Sequence, residues 1–164
     1  MKPSRLVLGA DPQRTLIRCM ILALLTVVIF RYGLAVLRLD GMSMEPNYSH
    51  GSIILANRLA YVWSEPKRGD VVALRLRESG GGILYLKRVV GLPGERVGFR
   101  DGQLLIDGEP KSEAYLEYAS NWDLEPVMCA ADEYFLVGDN RSMPIRSHTF
   151  GRTQASLILG KTLF

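Results

Sequence analysis

The sequence predicts a mostly β domain of short antiparallel strands and hairpins, preceded by one N-terminal transmembrane helix. Three observations predict it. Solid apolar character is confined to one block before residue 38. After Asp40 the apolar residues fall into short runs bounded by Gly, Pro or Asp, the pattern of strands between turns. No amphipathic pattern of three helical turns follows residue 40, so helices are not expected to form a layer of the domain. A chain of 164 residues has room for one domain and an appendage.

The expected divisions are a cytoplasmic tail over 1–14, a transmembrane anchor over 15–37 and an extracytoplasmic domain over 38–164. The run CMILALLTVVIF, Cys19 to Phe30, is uncharged but short. Extended from Thr15 to Leu37 it reaches the roughly 20 residues a crossing needs, with Arg18 and Arg31 close enough to the ends to snorkel. A cleaved signal would favour an A-x-A site soon after the run, and no A-x-A follows it closely. Lys2, Arg5, Arg14 and Arg18 precede the block, so the positive-inside rule places the N-terminus in the cytoplasm and the domain on the outer, periplasmic or extracellular, face of the cytoplasmic membrane.

Residues 1–38 hold six Lys or Arg against Asp11, whereas the other 126 residues hold fourteen basic against sixteen acidic residues. The basic balance therefore belongs to the tail and anchor, and no nucleic-acid partner is expected. Strands are expected in GSIILANRL, GDVVALRLR, GILYLKRVVG, ERVGF, GQLLIDG and EYFLVGDN, with Asp101-Gly102 and Asp107-Gly108 as tight turns around LLID. Residues 109–132 lack a clean period and read as an irregular surface insertion. Cys19 and Cys129 lie in segments expected on opposite sides of the membrane surface and read as free thiols. With His50 and His148 the only histidines, neither metal nor cofactor is expected.

Three stretches carry candidate chemistry. In GMSMEP, Ser43 sits where Gly41 allows close backbone approach and Pro46 fixes the exit, a setting for an exposed nucleophile; alone, it is an ordinary turn serine. In YLKRVVG, strand alternation places Lys87 with Tyr85 and Val89 among apolar neighbours. Desolvation would lower its pKa and let a neutral amine take a proton from Ser43; alone, it is a lysine snorkelling from an edge. In FLVGDNRS, Asp139 and Arg141 are placed to pair or to bind backbone around a turn, with Asn140 between them. Met42 and Met44 suit either a lipid-facing surface or core packing.

Together these stretches resemble the type I signal peptidases, membrane-anchored serine proteases that remove signal peptides from exported proteins. GMSMEP is similar to the family block G-x-S-M-x-P, RGDVVAL to G-D-[IV]-V, YLKRVVGLPGERV to K-R-[VI]-[VI]-G-x-P-G-[DE], and VGDNRS with the later Phe150-Gly151 to the G-D-N-R and F-G block. The resemblance implies Ser43 as nucleophile and Lys87 as general base, supported by Gly41, Met44, Pro46, Asp139, Asn140 and Arg141, with substrate laid along Tyr85 and Leu86. It implies preprotein signal peptides and the lipid bilayer as partners. Three departures stand out. Asn47 replaces a threonine; Pro144 replaces the serine whose hydroxyl orients the lysine; Arg146 and His148 replace an acid and an arginine around Ser147. Either Ser142 or Ser147 supplies the missing hydroxyl, or the enzyme is slower or specialised. A specialised peptidase maturing one substrate, such as a pilin, would share every block; an inactive signal-sequence-binding module is the reading from another class.

Overall fold

The computed structural model describes residues 11–75, 84–148 and 151–163. Its first element is helix α1, Pro12–Val28, continued by a π turn over Ile29–Gly33. Asp11 caps it, its carboxylate accepting from the N–H groups of Gln13 and Arg14, and Pro12 opens the first turn where its missing N–H is no loss. The 22 residues to Gly33 are long and apolar enough to cross a membrane, and none is buried against the domain. At about 1.5 Å per residue they span about 33 Å, close to a hydrocarbon core.

The expected anchor ran to Leu37, but helical structure stops at Gly33. Leu34–Arg38 form strand β1, which pairs antiparallel with β2, Ile53–Asn57. The apolar character continues through this boundary for a different reason: Ala35 and Leu37 alternate into the domain core. The domain therefore begins inside the stretch that composition assigns to the anchor.

All six expected runs form strands. Besides β2 these are β3, Val71–Arg75; β4, Leu84–Gly91; β5, Arg96–Arg100; β6, Gln103–Ile106; and β9, Glu133–Val137. Asp101-Gly102 and Asp107-Gly108 all have positive φ, the geometry of the two-residue turns that match strand twist. Further strands are β7, Glu109–Pro110; β8, Leu124–Met128; β10, Gly151–Gln154; and β11, Ile158–Thr162. Two antiparallel sheets result, one ordered β1-β2-β11-β3-β4-β9-β10 and one ordered β7-β6-β5-β8.

Residues 109–132, expected as an irregular surface insertion, are mostly exposed and carry no regular element over 111–123, but they are also tied into the domain. They supply β7 and β8 to the smaller sheet and send Trp122 and Cys129 into a core shared with Val90, Val97, Phe99, Phe135 and Val137. Their lack of period reflects anchoring by isolated side chains instead of a continuous face. Cys129 is buried and Cys19 lies exposed on α1; both are free. A second cluster joins Ala35, Leu37, Leu39, Met44, Ile54, Val71, Ala73 and Leu86, so the turn carrying Ser43 grows directly out of core.

Candidate active site

Ser43 lies in the turn that follows β1, and its position is set by its neighbours on both sides. Met44 is fully buried in the core, while Met42 faces outward at 56% exposure, so core packing accounts for the first and not for the second. Gly41 has φ +103°, with nothing within 4 Å of where a Cβ would stand; it is needed for backbone conformation and not for close approach. Close approach is instead the task of Gly138, where a Cβ would lie 2.2 Å from the Ser43 carbonyl oxygen. The next residues exploit that contact. The Asn140 N–H donates to the Ser43 carbonyl at 2.9 Å, and Asn140 Nδ2 donates to the Met42 carbonyl at 3.1 Å. The Ser43 N–H has no hydrogen-bond partner among the described residues.

Lys87 stands on β4 opposite Val72 of β3 and is 3% exposed. Its Nζ donates to Ser43 Oγ at 2.7 Å, across 44 residues of sequence. Burial pushes its pKa down to about 8, opposed in part by the negative charge of Asp139. That charge is itself compensated: Asp139 is buried against Arg88, whose Nε donates to Oδ1 at 2.8 Å and whose NH2 engages Oδ2. Asn47 Nδ2 donates to Asp139 Oδ2 and to the Tyr115 carbonyl, both at 2.9 Å, and Tyr115 lies flat against the Arg88 guanidinium at 3.9 Å.

Asp139 and Arg141 therefore do not pair through their side chains. Arg141 is fully buried and turns the other way, its Nε donating to the Gly138 carbonyl at 2.7 Å and its two NH groups to Glu113 at 2.6 and 3.1 Å. Phe99 and Trp122 flank the guanidinium, with ring centroids at 5.2 and 5.5 Å. The turn is thus tied by Asp139 to β4 of the larger sheet and by Arg141 to the loop before β8 and to Phe99 of β5 in the smaller.

The two expected substitutes for the missing hydroxyl lie elsewhere. Ser142 is exposed and donates to Asn140 Oδ1 at 2.7 Å, and Ser147 is exposed in a short 3-10 turn over Ile145–Ser147 that begins after Pro144. Neither hydroxyl reaches Lys87. Arg88, Glu113 and Trp122 are the site's supports that sequence reasoning passed over. Arg88 adjoins Lys87 in the chain and was readable as a partner for Asp139; Glu113 had no signal beyond being an acid in an irregular stretch. Tyr85 and Leu86 border a pocket of about 10 Å³ with Leu37, Arg38, Leu39 and Ile54, room for little more than one small group. Beside them, β9 pairs only with the Arg88–Gly91 half of β4, so Leu84–Lys87 have β3 on one side and no strand on the other among the described residues.

Residues 13–164 match the family model described as "Signal peptidase, peptidase S26". The chain is 30% identical over 127 residues to a signal peptidase I of Leptolyngbya laminosa, covering 74% of this chain and 63% of the relative. It is 36% identical over 131 residues to a signal peptidase I of Bacillus amyloliquefaciens, covering 74% of this chain and 69% of the relative. The chain thus spans about two thirds of the length of these relatives. A crystal structure of a signal peptidase I from Enterococcus faecalis V583 aligns over 60% of this chain and 97% of its own, with TM-score 0.46 and 29% identity.

Proposed function

Because the chain belongs to the peptidase S26 family of signal peptidases, we propose that it is a membrane-bound serine endopeptidase that removes N-terminal signal peptides from exported preproteins with Ser43 and Lys87. The observation that carries this is the 2.7 Å contact between Ser43 Oγ and a buried Lys87 whose pKa is pushed down to about 8. A neutral Lys87 amine takes the Ser43 proton as Oγ attacks the scissile carbonyl. The Ser43 N–H, without a partner among the described residues, would donate to the developing oxyanion. Lys87 then protonates the leaving amine and activates the water that frees the acyl-serine.

The substrate would lie extended along the open Leu84–Lys87 half of β4, its small residues one and three positions before the cut seated in shallow pockets. The helix to Gly33 would anchor the chain, with the N-terminus cytoplasmic and the domain outside, next to arriving signal helices. The experiment is cleavage of a preprotein with an A-x-A site by the full chain in detergent micelles. Ser43→Ala and Lys87→Ala are each expected to lower the rate by about a thousand-fold or more. A wild-type chain as inert as both variants would leave a signal-sequence-binding module in its place, and cleavage of a single pilin precursor alone would make it a dedicated enzyme.

A further inference from the structure

His148 is a buried side chain to which the chemistry above gives no task. It is 7% exposed, with its ring edge on Trp122 at a centroid distance of 4.7 Å. Its Nε2 lies 2.7 Å from the Asn140 carbonyl oxygen. A carbonyl only accepts, so the hydrogen is on Nε2 and the bare lone pair is on Nδ1. Nδ1 is buried without a hydrogen-bond partner among the described residues, and folded chains rarely leave a buried acceptor in that condition without a use for it.

The charged groups close enough to act on the ring electrostatically are Lys87 from β4 and Arg141 from the Gly-Asp-Asn turn. Arg141 is matched by Glu113, and Asp139 is engaged by Arg88. Lys87 is left with one hydrogen bond among the described residues, to Ser43 Oγ. Burial, with repulsion from Lys87, lowers the His148 pKa to about 4, so the ring is neutral wherever Lys87 works. A neutral amine carries two N–H groups and one lone pair, and the lone pair meets the Ser43 proton only if an N–H is held in another direction. By the resemblance, Pro144 occupies the sequence position at which a serine hydroxyl would do that.

We propose that neutral His148 is a positioning residue for Lys87, its Nδ1 lone pair accepting from a Lys87 N–H through one bridging water and so replacing the hydroxyl that Pro144 lacks. The inference rests on the Ser43–Lys87 reading.

The test is preprotein cleavage by the full chain in micelles, with a pH profile and an unfolding midpoint for each variant. His148→Gln keeps a donor for the Asn140 carbonyl and removes the acceptor at Nδ1. It is expected to lower kcat about ten-fold with KM little changed, the effect of losing one hydrogen bond to a charged group. The acid limb of kcat/KM should move to lower pH, because the ammonium has lost an acceptor. Adding Pro144→Ser to His148→Gln should restore most of the loss. Activity of His148→Gln within two-fold of wild type with an unmoved profile overturns the proposal. So does a loss that tracks a lowered unfolding midpoint and is not restored by Pro144→Ser. If wild type is as inert as Lys87→Ala, the peptidase reading itself falls and this inference with it.

Discussion

At the scale of a residue, Lys87 shows what a serine–lysine pair demands of a fold. A free lysine, with a pKa of roughly 10.4, is almost fully protonated at neutral pH and cannot accept a proton. Burial at 3% exposure brings the value to about 8, which has a structural consequence and, on the proposed role of Lys87 as base, a catalytic one. Cleavage should rise with pH and reach half its maximum near pH 8, as the amine loses its proton; a rate already at its plateau at pH 6 would contradict Lys87 as the base. The same displacement costs stability. Because the folded pKa is depressed, the burial penalty is fully present below about pH 8, where the ammonium is charged in both states. It fades as pH rises toward the unfolded value near 10.5. Lys87→Met, which is close in volume and uncharged, should therefore stabilise the inactive protein by about 3 kcal/mol at pH 7. The gain in urea unfolding should shrink toward zero by pH 11. Ser43→Ala should show no such pH-dependent gain.

At the scale of elements, the Gly-Asp-Asn-Arg turn acts as a clamp between two sheets. Gly138 lets the Ser43 backbone come close, Asn140 binds it, Asp139 ties the turn to Arg88 of β4, and Arg141 ties it to Glu113. The Arg141–Glu113 pair is buried on both sides, at 0% and 6% side-chain exposure. Removing one partner of such a pair leaves an uncompensated buried charge. Glu113→Ala should accordingly destabilise the domain by about 3–5 kcal/mol, far more than Glu117→Ala in an exposed position of the same stretch, as measured by urea unfolding. The contrast explains what was legible beforehand. Ser43, Lys87 and the turn were readable because their chemistry sits in short contiguous strings, and six strands were readable because alternation and turn residues are local signals. Glu113, Trp122 and β8 were not, since each is fixed by long-range contacts made from a stretch without periodicity. Strand β1 was hidden differently: its alternating core residues follow without a break on a helix that is apolar on every side, and composition cannot divide the two.

At the scale of the whole molecule, that hidden boundary decides where the anchor can be cut from the domain. No residue of α1 is buried, and its exposed apolar side chains include Leu16, Leu22, Leu24 and Val27; it contributes nothing to the domain core. Strand β1 contributes a good deal, since Ala35 and Leu37, with Leu39 just beyond, pack in the cluster that also holds Met44 beside Ser43. Burying two leucines and an alanine is worth about 3–6 kcal/mol, a large part of the 5–15 kcal/mol typical of a whole domain. A chain starting at Leu34 should therefore be soluble, keep a cooperative thermal transition and retain hydrolysis of a short A-x-A peptide, while losing its preference for membrane-inserted preprotein. A chain starting at Asp40 lacks β1, leaves Ile54 and Ala56 of β2 uncovered and loosens Met44; it should aggregate or melt without a sharp transition and show no hydrolysis. Equal stability and activity of the two chains would mean that the strand belongs functionally to the anchor, and that the core beneath Ser43 is held by β2, β3 and β4 alone.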